Sequence, residues 1–490
     1  MRTGQQYLES LTDGRNVIVD GARVQDVRRH PAFEGIAHTF ASFYDVAADP
    51  SNGMIFTSPE TGGEANKVLM IPRSREDLAE RRRAISTWAD ITKGFVGRSP
   101  DHVGSFLAGF ASSPETFDKG DRRFGQNVSR LYRQVVRENL FVTYVIIPPQ
   151  IDRSVTAHGW SEELLQVGVL KEQDGGMVVR GAQMLGTSTA VSDWLFVSCI
   201  QPLSPQDERY ALSFAIPVNT RGLKIYCRRP YAPSQPSCFD YPLSSRFDES
   251  DAFIVFDDVF VPWENVFVYR DIEQCRRQFF ETPAHVLGNT QAQIRLIAKM
   301  KFILGVARRI TQVNRIEGIP SVQEKLGELG SLAAIVEGMV LASEATCTTD
   351  RNGVATPNPR FLYGAMGLQA ELYPRAILIL RELAGGGVLQ LPSSYLELTG
   401  ETTKADMERY MRSANVSSEE RVKLFKLAWD TVGSEFAGRQ LQYEMFYTGG
   451  PYLTRRYAFR NYGYDEALHS LDTLLNSYGL PEAHSPRSAA

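Results

Sequence analysis

A chain of 490 residues, 43% hydrophobic and 22% charged, has the makeup of an ordinary globular protein, with roughly two to four domains or one large multilayer fold. A net charge of −4 without a Lys/Arg block argues against nucleic-acid binding, no run reaches the ~18 apolar residues of a membrane span, and the opening MRTGQQYLES has no signal-peptide core. Five scattered cysteines with no CxxC pair suit a reducing cytoplasm and argue against disulfides or structural zinc.

Thr3 to Leu11 reads as a short helix with Gly14 just past its end, and Asn16 to Val27 alternates around Asp20-Gly21 as a hairpin does. Ser74 to Asp77 has the form of an N-cap with an acidic first turn, ahead of a helical run containing Leu78, Ile85 and Trp88. Arg122 to Leu140 is helical again, with Val128, Leu131, Val135 and Asn139 along one face, so residues 1–140 read as a mainly helical domain. From Phe141 to Cys275 the period becomes two. Strands are expected at Phe141–Ile147, Leu164–Lys171, Met177–Gln183, Trp194–Cys199, Tyr210–Pro217, Leu223–Cys227 and Ala252–Phe256, with Asp174-Gly175-Gly176 as a tight turn. Residues 141–275 therefore predict a β-barrel or sandwich domain. The helical period then returns in residues 276–490, in four blocks. Ile294, Ile297, Leu304, Ala307 and Ile310 form the first stripe, and Val322, Leu326, Leu329, Ala333, Val336 and Val340 the second. Phe361 to Leu383 is the third, which Pro374 should kink or split, and Val422, Phe425, Trp429, Val432 and Phe436 form the fourth. Such stripes imply an antiparallel bundle, with the tail after Leu480 loose or draped over a neighbour.

The stretch from Leu140 to Ser154 sits where helical sequence gives way to β. Its apolar strand ends at Pro148-Pro149, and Gln150, Asp152 and Arg153 follow at once, which places hydrogen-bonding groups at the mouth of a pocket or against a neighbouring loop. Four further clusters carry chemistry. Gly97 to His102 is a turn with a guanidinium and an imidazole four residues apart; if Pro100 opens a helix, His102 lies in its first turns, near N–H groups that favour anions. The same turn also suits a capped helix with solvated side chains. Thr143 and Tyr144 place hydroxyls within an apolar strand, Thr187, Ser188 and Thr189 end another strand with three hydroxyls, and Gly385, Gly386 and Gly387 let backbone approach a ligand or simply end a helix. GxGxxG after a strand, GxxxxGK[ST], HExxH and GxSxG are all missing from the sequence, which weighs against Rossmann, P-loop, zincin and α/β-hydrolase chemistry.

A helical domain, a β-domain and a four-helix bundle in that order resemble the layout of acyl-CoA dehydrogenases, an α+β fold with a middle β-barrel. More specifically, MRTGQQYLESLTDGR, GRSPDH (97–102), PPQIDRS (148–154), residues 175–189, 210–231 and 242–267, AGGG (384–387) and GRQLQYEMFY (438–447) each resemble segments of the oxygenase component of 4-hydroxyphenylacetate 3-monooxygenase, in order and over nearly the whole chain. The resemblance implies a two-component phenol hydroxylase in a cytoplasmic homotetramer. A separate NAD(P)H:flavin reductase supplies reduced FAD (FADH2), O2 adds at flavin C4a, and the hydroperoxide hydroxylates a phenol. It further implies that Arg98 lies near the substrate hydroxyl, that Gln150, Arg153, Thr187 and Ser188 contact the flavin, and that Gly385, Gly386 and Gly387 lie near the FAD phosphates. Two positions depart from the family pattern: His102 stands where tyrosine is usual, and Tyr144 where histidine is usual. Arg98, His102 and Tyr144 are therefore expected to face the substrate hydroxyl, with His102 as base or donor toward a phenolate. The exchange points to a substituted phenol or nitrogen heteroaromatic as substrate, while His285 is expected to be structural. The related 4-hydroxybutyryl-CoA dehydratases need cysteine and histidine ligands for an iron–sulfur cluster, and residues 98–102 hold no cysteine. An acyl-CoA dehydrogenase-like flavoenzyme and a flavin-binding homologue without catalysis are the remaining alternatives.

Overall fold

The computed structural model describes residues 1–480 apart from 121 and 235, so the tail expected to be loose lies outside the described residues. The early helices start where their capping residues stand. Thr3 accepts from Gln6 N–H while the Gln6 side chain returns to Thr3 N–H, which fixes the start of Gly4–Ser10. Ser74 and Asp77 do the same for Arg75–Ile91. Pro100 is the first residue of Pro100–Ala111, where its missing N–H has no intrahelical use. Every residue of that helix from Pro100 to Phe110 is buried. It lies against the long helix Ala284–Val313, and glycine permits the approach: a Cβ at Gly109 would sit 2.3 Å from the Ala284 backbone.

The middle of the chain forms two sheets rather than one closed barrel. Six strands run in the order Ala22–Arg23, Val17–Val19, Leu223–Cys227, Ala252–Pro262, Gly176–Gln183, Gly168–Gln173; four run Val266–Tyr269, Leu212–Pro217, Trp194–Val197, Val142–Val145. The bridges Ile147–Met184 and Gln166–Ala182 lie outside these strands. The Asp20-Gly21 hairpin forms as expected, with both residues at positive φ. Its strand Val17–Val19 then pairs in parallel with Leu223–Cys227, so the first 140 residues lend an edge to the sheet. The strand expected from Leu164 starts only at Gly168, because Leu164 adopts φ 59° and gives its N–H to the Tyr210 hydroxyl.

Three long helices, Ala284–Val313, Pro320–Ala345 and Pro359–Ala384, pack against one another as the apolar stripes require. Pro374 lies inside the third without splitting it, since packing on its neighbours outweighs the one backbone bond proline removes. The fourth stripe is two helices, Ser418–Val432 and Glu435–Phe446. They part at Gly433, where the Trp429 ring fills the place of a Cβ, and Ser434 caps the second. The second helix carries Arg439 to Glu249 and Asp251, and Glu444 to Arg295 and Lys299.

Candidate active site

The turn ahead of Pro100 is fixed by contacts that exclude any side chain at Gly97, whose Cβ would lie 2.5 Å from Tyr447 and 2.6 Å from the Tyr443 hydroxyl. Glu249 Oε1 accepts the backbone N–H of Gly97 at 2.8 Å and of Arg98 at 2.5 Å. Arg98 stands just ahead of the N-cap Ser99 and reaches back over the first turn, so that its Nη1 lies 2.7 Å from His102 Nε2. Arg98 Nη2 donates to the Tyr447 carbonyl at 3.1 Å, and the guanidinium carbon stands 4.1 Å from the Tyr447 ring centre and 5.1 Å from that of Tyr144. None of these partners is a carboxylate, so the guanidinium keeps its positive charge unpaired in a partly buried place.

A guanidinium can only donate, so His102 Nε2 is an acceptor and the ring proton belongs on Nδ1. His102 is buried, and Nδ1 has no partner among the described residues. Burial first, then the nearby charges of Arg98 and Arg295, hold the imidazole well below its usual range. Of the two expected roles, base or donor, this arrangement favours the donor. His102 is a neutral ring whose one free polar atom is an N–H donor. Tyr144, on Val142–Val145, brings its ring to 5.3 Å from that of His102, and Phe106 stands equally close at 5.3 Å.

Behind the turn lies a lattice of charges. Arg439 donates to Glu249 Oε2 at 3.0 Å and to both oxygens of Asp251 at 2.7 and 3.0 Å. Arg228 spans Asp248 and Asp251, and Thr187 Oγ1 donates to Asp251 at 2.7 Å. Burial alone would raise the Asp251 carboxyl, but Arg439 and then Arg228 hold it far below the ordinary range. Ser188 takes φ 64° and gives its N–H to the carbonyls of Glu249 (3.1 Å) and Ser250 (3.0 Å). The hydroxyls of Ser188, Thr189 and Ser250 are buried and have no partners among the described residues.

A second lattice braces Tyr447. Arg295 grips Glu444 with two bonds of 2.7 Å, Lys299 reaches the same carboxylate at 2.6 Å, and the Arg295 guanidinium stands 4.5 Å from the Tyr447 ring. Burial is the largest influence on Glu444 and would raise it, yet Arg295 and Lys299 bring it down to about 2.

The structure thus brings Arg98, His102 and Tyr144 into one cluster and joins it to Thr187 and Ser188 through Glu249, Asp251 and Arg439. Gln150 and Arg153 are exposed, just past the buried Pro148 and Pro149. The three glycines are not brought to this cluster within one chain. They end the helix Pro359–Ala384, about 24 Å beyond the level of Gln369, which bonds Glu444. Two of the three have local reasons to be glycine: Gly385 ends the helix at φ 56°, and a Cβ on Gly387 would lie 2.5 Å from Phe425. His285 stands apart too, 2.9 Å from the Tyr363 hydroxyl among Phe280 and Tyr457. Sequence reasoning missed Glu249, Asp251, Arg439, Tyr443 and Tyr447 as site residues. The available sign was three acids within residues 248–251 ahead of an apolar strand, which demand cations from elsewhere.

Residues 3–268 match the N-terminal, and residues 275–476 the C-terminal, family models of 4-hydroxyphenylacetate 3-hydroxylase. The oxygenase component of 4-hydroxyphenylacetate 3-monooxygenase from Thermus thermophilus is 35% identical over 92% of both chains. That of Escherichia coli is 31% identical over 97% of this chain and 93% of its own. Among solved structures, an oxygenase component of 4-hydroxyphenylacetate 3-monooxygenase complexed with FAD and 4-hydroxyphenylacetate superimposes with a TM-score of 0.92 at 32% identity, covering 97% of this chain and 99% of that one. An archaeal 4-hydroxybutyryl-CoA dehydratase from N. maritimus shares the fold, with a TM-score of 0.88 at 20% identity over 100% of this chain and 97% of its own.

Proposed function

This chain belongs to the 4-hydroxyphenylacetate 3-hydroxylase family, and on that premise we propose that it is a flavin-dependent monooxygenase in which Arg98 and His102 receive the phenolic oxygen of an aromatic substrate. The observation that carries the reading is a guanidinium charge with no carboxylate partner among the described residues, held against the Nε2 of a neutral histidine. The guanidinium charge favours an anionic oxygen, so the site stabilises a phenolate over a phenol and activates the ring carbon beside it. Tyr144, Phe106 and Tyr447 wall this point with aromatic rings, which exclude water and align a planar substrate. His102 stays a donor throughout; its other nitrogen is occupied by Arg98. The histidine-for-tyrosine exchange at 102 supports a preference for a substituted phenol or nitrogen heteroaromatic.

FAD, supplied reduced by a separate NAD(P)H:flavin reductase, activates O2 when bound. The chain fits the cofactor's ring end. The unpartnered hydroxyls of Ser188, Thr189 and Ser250 are buried polar groups in need of a ligand, and Thr187 is held beside them by Asp251. The exposed Gln150 and Arg153 would take more polar parts of the same molecule. Gly385, Gly386 and Gly387 end a different helix, and we read their part in holding the FAD phosphates as belonging to the glycine turn of a second copy. Exposed apolar residues support such an assembly, which we read as a cytoplasmic homotetramer of acyl-CoA dehydrogenase-like subunits. The helix Tyr464–Leu475 buries none of its residues, and Leu468, Leu471 and Leu474 are 52%, 49% and 61% exposed. The helix Pro320–Ala345 would pass for a membrane span by length and composition; it buries the stripe of Val322, Leu329, Val336 and Val340, but only 22% of its apolar window is buried, and Ile335 and Leu341 add to the exposed apolar surface.

The test supplies the purified chain with FAD, a flavin reductase, NADH, oxygen and a panel of phenols headed by 4-hydroxyphenylacetate. The expected result is a product one oxygen atom heavier, hydroxylated beside the phenolic hydroxyl, from a protein that sediments as a tetramer. Consumption of reduced FAD with no hydroxylated product from any phenol would overturn the reading.

A further inference from the structure

Glu249 has no part in the reading above, yet it is the residue that touches both halves of the site. Its side chain is fully buried, and each of its acceptors has a defined partner. Oε1 takes the N–H groups of two consecutive residues, Gly97 and Arg98, and Oε2 takes Arg439. Its own carbonyl accepts the N–H of Ser188. Two adjacent N–H groups converge on one oxygen only for a narrow range of backbone angles, so the carboxylate sets the peptide plane from which the Arg98 side chain departs. Gly97 can follow that geometry because the Tyr443 and Tyr447 rings leave room for nothing larger. A second link runs parallel: Arg439 holds Asp251, and Asp251 holds Thr187.

We infer that Glu249 is a positioning residue that couples the Thr187–Ser188 loop to the aim of Arg98, so that the two halves of the site are set together. The inference rests on the proposed hydroxylase reading for its consequence and on the contacts of this chain for its geometry. A carboxylate serving only as a buried charge partner would have no need to bond the Gly97 and Arg98 amides. A positioning carboxylate is replaceable by any side chain that accepts those two N–H groups at the same reach. A misplacement of about 1 Å at such a point costs about a hundredfold in rate.

The experiment compares Glu249→Gln, which keeps an oxygen acceptor, with Glu249→Met, which keeps length and removes it. Two readouts are taken on the full-length protein. The first is amide hydrogen exchange of peptides spanning Gly97 and Arg98, measured without FAD. The second is kcat and KM for 4-hydroxyphenylacetate, with the product formed per reduced FAD oxidised. The Met variant should expose the two amides to exchange at least about tenfold faster, raise KM about tenfold, and lower product per flavin, while reduced FAD is still oxidised within about twofold of the normal rate. The Gln variant should keep the protection and hold KM within about threefold. If the Met variant does not accumulate folded, Arg439→Lys loosens the grip on Oε2 and should give the same pattern at smaller amplitude. Unchanged exchange and KM in the Met variant, or equal damage in both Glu249 variants, would overturn the inference. A wild-type protein that hydroxylates no phenol would instead sink the functional reading, while the exchange comparison would still decide the clamp.

Discussion

Replacing Arg98 by methionine separates catalysis from stability in a way the geometry dictates. The guanidinium bonds His102 Nε2 and the Tyr447 carbonyl and packs on the Tyr447 ring, but meets no carboxylate. Its removal therefore strands no buried acid. The Glu249 contact is to the Arg98 backbone and survives. The loss to folding is two hydrogen bonds and one cation–π contact, about 2–3 kcal/mol. The loss to the reaction is a charge-assisted hydrogen bond to the phenolic oxygen, about 2–3 kcal/mol, or about 30- to 150-fold in kcat/KM. Arg439→Met is the control, because it leaves the buried Glu249 carboxylate without a cation and Asp251 with Arg228 alone, and should destabilise by about 3–5 kcal/mol. Steady-state hydroxylation with reduced FAD supplied, beside urea unfolding of both variants, makes the comparison. An Arg98→Met enzyme within threefold of the wild-type kcat/KM would refute the role assigned to the guanidinium. So would a loss of activity fully explained by unfolding.

Glu444→Gln should destabilise the protein by about 3 kcal/mol at neutral pH, measured by urea unfolding, because Arg295 and Lys299 lose their shared carboxylate. The wild-type carboxyl sits at about 2 against an ordinary 4.5, so its contribution is present above pH 4.5 and is lost as pH falls from there through 2; the variant should lack that acid limb. His285 is held at about 4 against an ordinary 6.5 by burial, so it folds neutral while the unfolded chain takes up a proton below pH 6.5. Its contribution is thus present above pH 6.5 and lost as pH falls to 4, about 2 kcal/mol after allowance for its partial exposure. His285→Gln should flatten the stability–pH slope in that window, and His102, depressed in the same direction, should account for part of what remains. An identical slope in variant and wild type would count against the assignment.

Much of the local architecture is written in neighbouring residues. Thr3, Ser74 and Pro100 start their helices, and Asp20-Gly21 and Asp174-Gly175 turn their hairpins, before any tertiary contact forms. The resemblance to a hydroxylase family was likewise legible, because its segments lie in order along the chain. What the sequence left open depends on groups far apart in it. Val17–Val19 finds its partner at Leu223–Cys227, and Glu249 and Asp251 find theirs at Arg439. The fourth apolar stripe keeps one period across Gly433, although the Trp429 ring ends the helix there. The protonation of His102 was out of reach chiefly because burial sets it; Arg98, four residues away, adds to the effect, and Arg295, nearly two hundred residues away, adds further. Periodicity and capping are interactions over three or four residues, which a sequence displays directly. Desolvation and ion pairing are properties of the packed interior, and only the folded chain determines them.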